Sequence, residues 1–442
     1  MRINNFPPEV IRILLSHVPR ESLAPASLVC KTWRSAALHI LYRCVRLISI
    51  TDNQHLDGLL DVSRFENHPE DLISRIIRET NDEGKGLQVS SCVRRLRVTW
   101  NMDEAQLPDF GSAVSKMKNL EHLGWIVSVV HEIGWYDTLV QLHQELPNLR
   151  SLSLTMAQNE IPLDDSGEVI SMVNLKELAI EFDEQIDQEP ELEMPTSIVN
   201  LICGARNIES LSLDLQVDDS LEEYPPPFNW GPNTVFSAIT SRRFPHLRKL
   251  CIGSYYRPTS LECLKGPGSG LQLLLRNQQQ LQKVILYMHA RTSEAELTIT
   301  PLEMEETVPS IRHFGGPVLI VEALLKSRLA SQVEVLEIIQ LENIQRSNLP
   351  DLLQELDNQT VGQLPNLKGL SISTNGDGTH NNTDNALSLL AKLASRTPAL
   401  EELVISAMQH PTVENKAREL ARDTRSASAP SNSFPRAVAS AA

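Results

Sequence analysis

The sequence predicts an α/β fold: a small N-terminal module of three helices, then a solenoid of parallel strands with helical returns. Three observations carry this. A dense run of short amphipathic helices fills residues 6–45. A short apolar phrase recurs after residue 90 at intervals of one strand-plus-return unit. The segments between its copies show helical spacing of apolar residues.

The N-terminal helices follow from proline placement. From Pro8 to His17 the apolar residues Val10, Ile11, Ile13, Leu14 and Leu15 crowd one side of a helix, with Pro8 in the first turn, where its missing N–H is no loss. Pro19 ends that helix. Leu23, Ala26, Leu28 and Val29 continue the pattern, and Trp33, Ala36, Ala37, Leu38, Ile40 and Leu41 space a third helix. Helices this short are not expected to complete a core of their own, so an apolar face is left for a partner. Residues 51–85 are polar and mixed, with a helix expected around Pro69–Arg78.

After residue 90 the phrase is apolar, two variable, apolar, one variable, apolar. It reads Val93/Leu96/Val98, Leu120/Leu123/Trp125, Leu149/Leu152/Leu154 and Leu175/Leu178/Ile180, and continues through Leu367/Leu370/Ile372 to Leu400/Leu403/Ile405. Starts fall from 22 residues apart (Ile311 to Val333) to 39 apart (Ile208 to Leu247). Lead-ins recur as Leu146-Pro147-Asn148, Phe244-Pro245-His246, Leu364-Pro365-Asn366 and Thr397-Pro398-Ala399. Helical returns are expected at Tyr136–Glu145, Gly270–Gln280, Val318–Ser327 and Asp384–Arg396. This is the grammar of a leucine-rich repeat, in which each unit leaves an apolar edge that only the next can cover. The Asn or Cys usual three positions after the last leucine is mostly missing, so a degenerate, unevenly curved solenoid is expected. The domain reading is 1–45 for the helical module, 46–90 for a linker or solenoid cap, 91–410 for the solenoid, and 411–442 for a helix end and a tail. From Arg425 onward Ser, Ala, Pro and Arg leave no basis for regular structure.

Bulk properties narrow the function. At 442 residues the chain exceeds one compact core, and 41% hydrophobic with 22% charged residues is ordinary for a soluble protein. A net charge of −16 argues against nucleic acid as a ligand, since phosphate binding needs a basic surface. The six cysteines are scattered without a CxxC pair, which fits reduced thiols in the cytoplasm or nucleus and no zinc site. Neither an apolar signal core nor a stretch of about 20 apolar residues for a membrane span is present.

The opening Phe6-Pro7-Pro8-Glu9-Val10 and the close Ser27-Leu28-Val29-Cys30-Lys31-Thr32-Trp33-Arg34, with Ile11, Leu14, Leu15, Val18, Leu23 and Ala26 between them, resemble the F-box family. Its pattern opens Leu-Pro-x-Glu-Leu/Ile and ends, about 20 residues on, in Val-Cys-Lys/Arg-x-Trp. Phe6 replaces the usual leucine, and Pro25 falls inside the second helix. The resemblance implies docking on the adaptor of an SCF-type cullin–RING ubiquitin ligase through Phe6, Pro7, Pro8, Val10, Ile11, Leu14, Leu15, Val18, Leu23, Val29, Cys30 and Trp33. An F-box ahead of leucine-rich repeats is similar to substrate receptors of the expanded fungal F-box sets. It implies a non-catalytic subunit whose repeats bind a protein substrate, with no cofactor. A leucine-rich-repeat scaffold without a ligase is the alternative.

In Leu-x-x-Leu-x-Leu the leucines point inward, so the residues between them stand exposed on successive strands. That geometry nominates Arg95, Arg97, Glu177, Glu181, Asp214, Lys249 and Lys283 as the substrate surface. Other motifs are set aside. His131-Glu132 lacks the second histidine of a zinc-protease helix, and Gly266-Pro267-Gly268-Ser269-Gly270 has no Gly-Lys-Ser/Thr. Asn375–Asp384 lacks the closing glutamate of a calcium loop. No catalytic constellation is read from the chain.

Overall fold

The prolines cut the N-terminal module as expected. In the computed structural model α1 (Pro8–Ser16) has Pro7 as its N-cap, α2 (Arg20–Ala26) starts after Pro19, and α3 (Lys31–Leu41) follows. The structure describes residues 6–48, 69–79, 88–100, 102, 104–127, 134–156, 171–182, 196–214, 236, 238–240, 243–253, 259–260, 264, 269–289, 299–340, 364–374, 392–393, 397–407 and 436–440. Pro25 has no N–H to offer the preceding turn, and α2 stops one residue later. There the N–H groups of Ser27 and Leu28 donate to the carbonyls of Ala24 and Pro25 at 3.1 and 3.0 Å. Cys30 caps α3, its Sγ accepting from the Trp33 N–H at 3.5 Å.

These helices do complete a core, contrary to the expectation from their length. Ile11, Leu15, Leu23, Ala36 and Ala37 are buried together, with Phe6, Val18, Ala26, Trp33, Ile40 and Leu41 packed around them. The reason lies in α3: Ala36 and Ala37 are small enough to let its backbone close on the Ile11/Leu15 edge of α1.

The described residues fall into two compact units, one running to residue 182 and including 196–207, the other from 208 onward. In the first, β1 (Cys44–Ile48), β2 (Arg95–Thr99), β3 (His122–Val127), β4 (Ser151–Met156) and β5 (Glu177–Phe182) pair in parallel in chain order. The register aligns Val45, Leu96, Leu123, Leu152 and Leu178, then Leu47, Val98, Trp125, Leu154 and Ile180, all buried. Their returns carry α4 (Pro69–Glu79), α5 (Leu107–Ser115), α6 (Gly134–Glu145) and α7 (Thr196–Gly204), with α5 packed on both α4 and α6. The ladder begins at Cys44, inside the stretch read as the end of the helical module, because Val45 and Leu47 supply the alternation without any lead-in to announce it.

The second unit holds β6 (Ser210–Asp214), β7 (Lys249–Ile252), β8 (Thr259–Ser260), α8 (Gly270–Asn277), β9 (Lys283–Leu286), β10 (Met288–His289) and α9 (Pro301–Thr307). It continues with β11 (His313–Gly316), α10 (Val318–Lys326), β12 (Val335–Gln340), β13 (Gly369–Thr374), β14 (Glu402–Ala407) and β15 (Arg436–Ser440). Its strands also pair in parallel in chain order, while β8 and β10 form a side pair of their own. Strand β15 lies in the stretch for which no regular structure is expected, most of which falls outside the described residues. The last repeat strand offers an open row of N–H and C=O groups, and residues 436–440 pair with it in parallel. The expected returns at 136–145, 270–280 and 318–327 appear as α6, α8 and α10. That at 384–396 lies outside the described residues except for Lys392 and Leu393, which are helical.

Successive repeats are stitched at their lead-ins. Glu121 and His122 both donate to the Arg94 carbonyl at 2.8 and 3.1 Å, and Arg150 and Ser151 both donate to that of Glu121 at 2.9 and 3.0 Å. In the second unit Glu334 and Val335 share the Arg312 carbonyl in the same way. One residue ahead of six of the phrases a side-chain amide reaches back one repeat. Asn119 donates to Ser91 O at 2.8 Å, Asn148 to Lys118 O at 2.8 Å, Asn174 to Pro147 O at 3.3 Å and Asn207 to Val173 O at 2.8 Å. Gln332 and Asn366 repeat the bond in the second unit, at 2.8 Å to Pro309 O and 2.6 Å to Ser331 O. The amide ladder absent after the last leucine therefore exists in front of the first.

Candidate functional site

Helix α1 divides its apolar residues between two faces. Ile11 and Leu15, one turn apart, close into the core, while Val10 and Leu14, also one turn apart, lie on the neighbouring face. Leu14 is 49% and Ile13 62% exposed, and in the turn from α2 to α3 Leu28 is 75% and Val29 62% exposed. Elsewhere among the described residues the large exposed apolar side chains are Val173, Leu273 and Leu302, so such exposure concentrates on this one module.

Of the residues nominated for the adaptor, Pro7, Pro8, Leu14 and Val29 are exposed, and Phe6, Val10, Val18, Cys30 and Trp33 are half-buried. Ile11, Leu15 and Leu23 are buried inside the module, where they hold the helices together and present nothing to a partner. Ile13 and Leu28 were not nominated although both are exposed. Each stands next to a nominated residue, but neither periodicity nor motif marks it as outward. In α3, burial, with the positive charges of Arg12 and Arg94, holds the His39 imidazole below its usual value.

The nominated substrate residues divide between the two units, and each group stands by itself. In the first, Arg95, Arg97 and Glu177 are exposed on the outward face of the sheet, and half-buried Glu181 accepts from Thr155 Oγ1 at 3.2 Å. Arg46 of β1 is exposed there too, directly opposite Arg97. It escaped nomination because β1 was not recognised. In the second unit Lys249 is exposed and Lys283 half-buried. Asp214, expected on the surface, is only 7% exposed at the end of β6. It sits near enough to Cys251 for its charge to help raise that thiol's pKa, after the larger effect of burial.

Around Cys251 the outward face of the second unit is partly closed. Ile285 and Ile339 are buried against Cys251 and Tyr287. Burial, with the neighbouring Cys251 and Glu337, pushes the Tyr287 hydroxyl to about 12. Burial would push the Glu337 carboxyl up, but its hydrogen bond to His313 and the charges of His313 and Lys283 outweigh that and leave it low. Burial raises the Cys251 thiol, and its place against Ile285 and Ile339 makes it a packing residue. Among the described residues no three His, Cys, Asp or Glu side chains are placed to hold a metal ion, and no helix is long and apolar enough to cross a membrane. His131-Glu132, the Gly266–Gly268 stretch, Asn375–Asp384 and most of residues 159–225, a stretch rich in Asp and Glu, lie outside the described residues.

Residues 3–41 match the family model of the F-box domain. The chain thus carries an F-box domain at its N-terminus, followed by parallel strands with helical returns. No curated protein matches the sequence. Among solved structures the chain is similar to a Bacteroides fragilis protein, at 11% identity over 79% of this chain and 80% of that one, TM-score 0.36. It is also similar to the yeast complex of Rad7 and Elc1, at 12% identity over 92% and 93%, TM-score 0.34.

Proposed function

We propose that this chain is the substrate-recognition subunit of an SCF-type cullin–RING ubiquitin ligase. The F-box docks on the adaptor, which brings cullin and RING subunits, and the outward strand faces take a protein substrate. The observation that carries the reading is the F-box match on a module that keeps Ile13, Leu14, Leu28 and Val29 exposed while burying a separate core. Fully burying one such side chain is worth about 1.5–3 kcal/mol, so four supply about 6–12 kcal/mol toward a cost of association of about 4–15 kcal/mol. The chain's own role is non-catalytic, since ubiquitin transfer belongs to the assembled ligase. Such a subunit works in the cytoplasm or nucleus.

Co-purification tests this. The chain should recover the adaptor and cullin in stoichiometric amounts, and the double variant Pro7→Ala/Leu14→Ala should lose them while the repeats stay folded. Undiminished capture by that variant would overturn the adaptor site. No capture by the unaltered chain would leave a protein-binding repeat scaffold with no ligase attached.

A further inference from the structure

The outward face of the first sheet is electrically polarised along the strand order. Its first two strands present Arg46, Arg95 and Arg97, all exposed. Arg46 and Arg97 are register partners, about 4.8 Å apart at the backbone, and Arg95 lies two residues before Arg97 on the same face. Like charges placed directly opposite on neighbouring strands repel, and none of the three has an acidic partner among the described residues. The far strand, β5, presents exposed Glu177. Between the two ends the register places the small residues Gly124, Ser151 and Ser153, and half-buried His122 between Arg95 and Ser151. Gly124 faces Arg97 and puts no side chain between it and the middle of the sheet.

We infer that this face binds an extended polypeptide segment that carries an anionic cluster at one end and a basic group at the other. The anions seat on Arg46, Arg95 and Arg97, and the basic group on Glu177. Planar guanidinium groups take carboxylate or phosphate oxygens two at a time, so acidic side chains and phosphorylated ones share the chemistry the arginines recognise. Three to four strand steps separate the two ends, about 14–19 Å, which an extended segment covers in about four to six residues. Along the row from Arg97 the small Gly124 and Ser153 leave the backbone of such a segment room to cross beside His122. This inference rests on the reading of the strand face as the substrate surface and adds the substrate's charge pattern and Arg46.

The test uses the full chain and three labelled peptides of equal length, followed by fluorescence anisotropy. One carries an acidic block and a basic block separated by five neutral residues. The second replaces the acids with phosphoserines, and the third has the composition of the first with its charges alternating. The better of the two block peptides should bind at least about tenfold more tightly than the alternating one, and lose that margin as salt is raised. Which block peptide is the better one tells whether carboxylates or phosphates supply the anion. Arg46→Glu with Arg97→Glu should bring it down to the alternating peptide's level. Gly124→Glu should do the same without removing an arginine, and a Cβ there meets Arg97 Cγ at 3.7 Å, an ordinary contact that the fold accommodates. Equal binding of block and alternating peptides, indifference to both variants, or a preference for single-stranded RNA through the same arginines would each overturn the inference. Adaptor capture is read in the same preparations, so failure of the peptide test leaves the ligase reading standing, and the reverse also holds.

Discussion

The side-chain amide of Asn148 donates to the backbone carbonyl of Lys118 at 2.8 Å, joining the lead-in of one repeat to the lead-in before it. Pro147 cannot supply an N–H at this point, and the Asn148 side chain serves as the link its backbone neighbour lacks. Asn148→Ala is therefore expected to cost about 0.5–1.5 kcal/mol, as is Asn366→Ala in the second unit. Urea unfolding of each variant checks this. A midpoint unchanged in both would show that water replaces the amide at no cost.

Strand leucines should dominate stability. Leu152 and Leu370 are both 1% exposed, and truncating either to alanine leaves a cavity costing about 2–5 kcal/mol. Ser151→Ala, on the outward face beside Leu152, should shift stability by less than about 0.5 kcal/mol. Thermal unfolding of the three variants distinguishes them, and equal tolerance would contradict the register.

The two faces of the F-box module should respond in opposite ways. Leu15→Ala should lower the unfolding temperature, because Leu15 is fully buried in the module core. Leu28→Ala and Ile13→Ala should leave the unfolding temperature unchanged and weaken adaptor capture, since both side chains stand in solvent. Calorimetry alongside a pull-down separates the two outcomes.

His39 gives the module a pH dependence of known sign. Above its ordinary value of 6.5 the imidazole is neutral in both folded and unfolded chains and contributes nothing. Below that value the unfolded chain takes up a proton that the folded one resists, because burial and the charges of Arg12 and Arg94 hold the folded pKa down. Stability should fall as pH drops from 6.5 toward the folded pKa. His39→Asn should lose less over the same interval. Parallel denaturation of the two proteins on either side of that window is the measurement, and identical slopes would refute the assignment.

Much of the architecture was legible because the strand leucines recur in a fixed phrase, and their alignment in register is what that phrase implies. What escaped did so for identifiable reasons. Val45 and Leu47 look like any alternating pair, and only their pairing with Leu96 and Val98 makes them a repeat. Asn119 and Asn148 cannot be assigned a link from the sequence, since nothing local shows which carbonyl a side-chain amide will reach. On α1 the apolar stripe is broad enough to serve both a core and a partner, and the division between Ile11 and Ile13 is decided by where α3 lays Ala36 and Ala37. Asp214 occupies an outward strand position, yet enclosure at the end of β6 depends on neighbours far along the chain.

The shared carbonyls and amide links at the lead-ins have a consequence for how such a chain can change over generations. Phrase starts are spaced by anything from 22 to 39 residues. In the main ladder of each unit every strand that carries a phrase nevertheless meets the next with the middle apolar position of one phrase beside that of the other, because alignment is set where the strand begins. Slack introduced into one return is taken up before the next stitch and is not passed on. Returns can then be lengthened or rewritten individually while each charged residue on the strand face keeps its address.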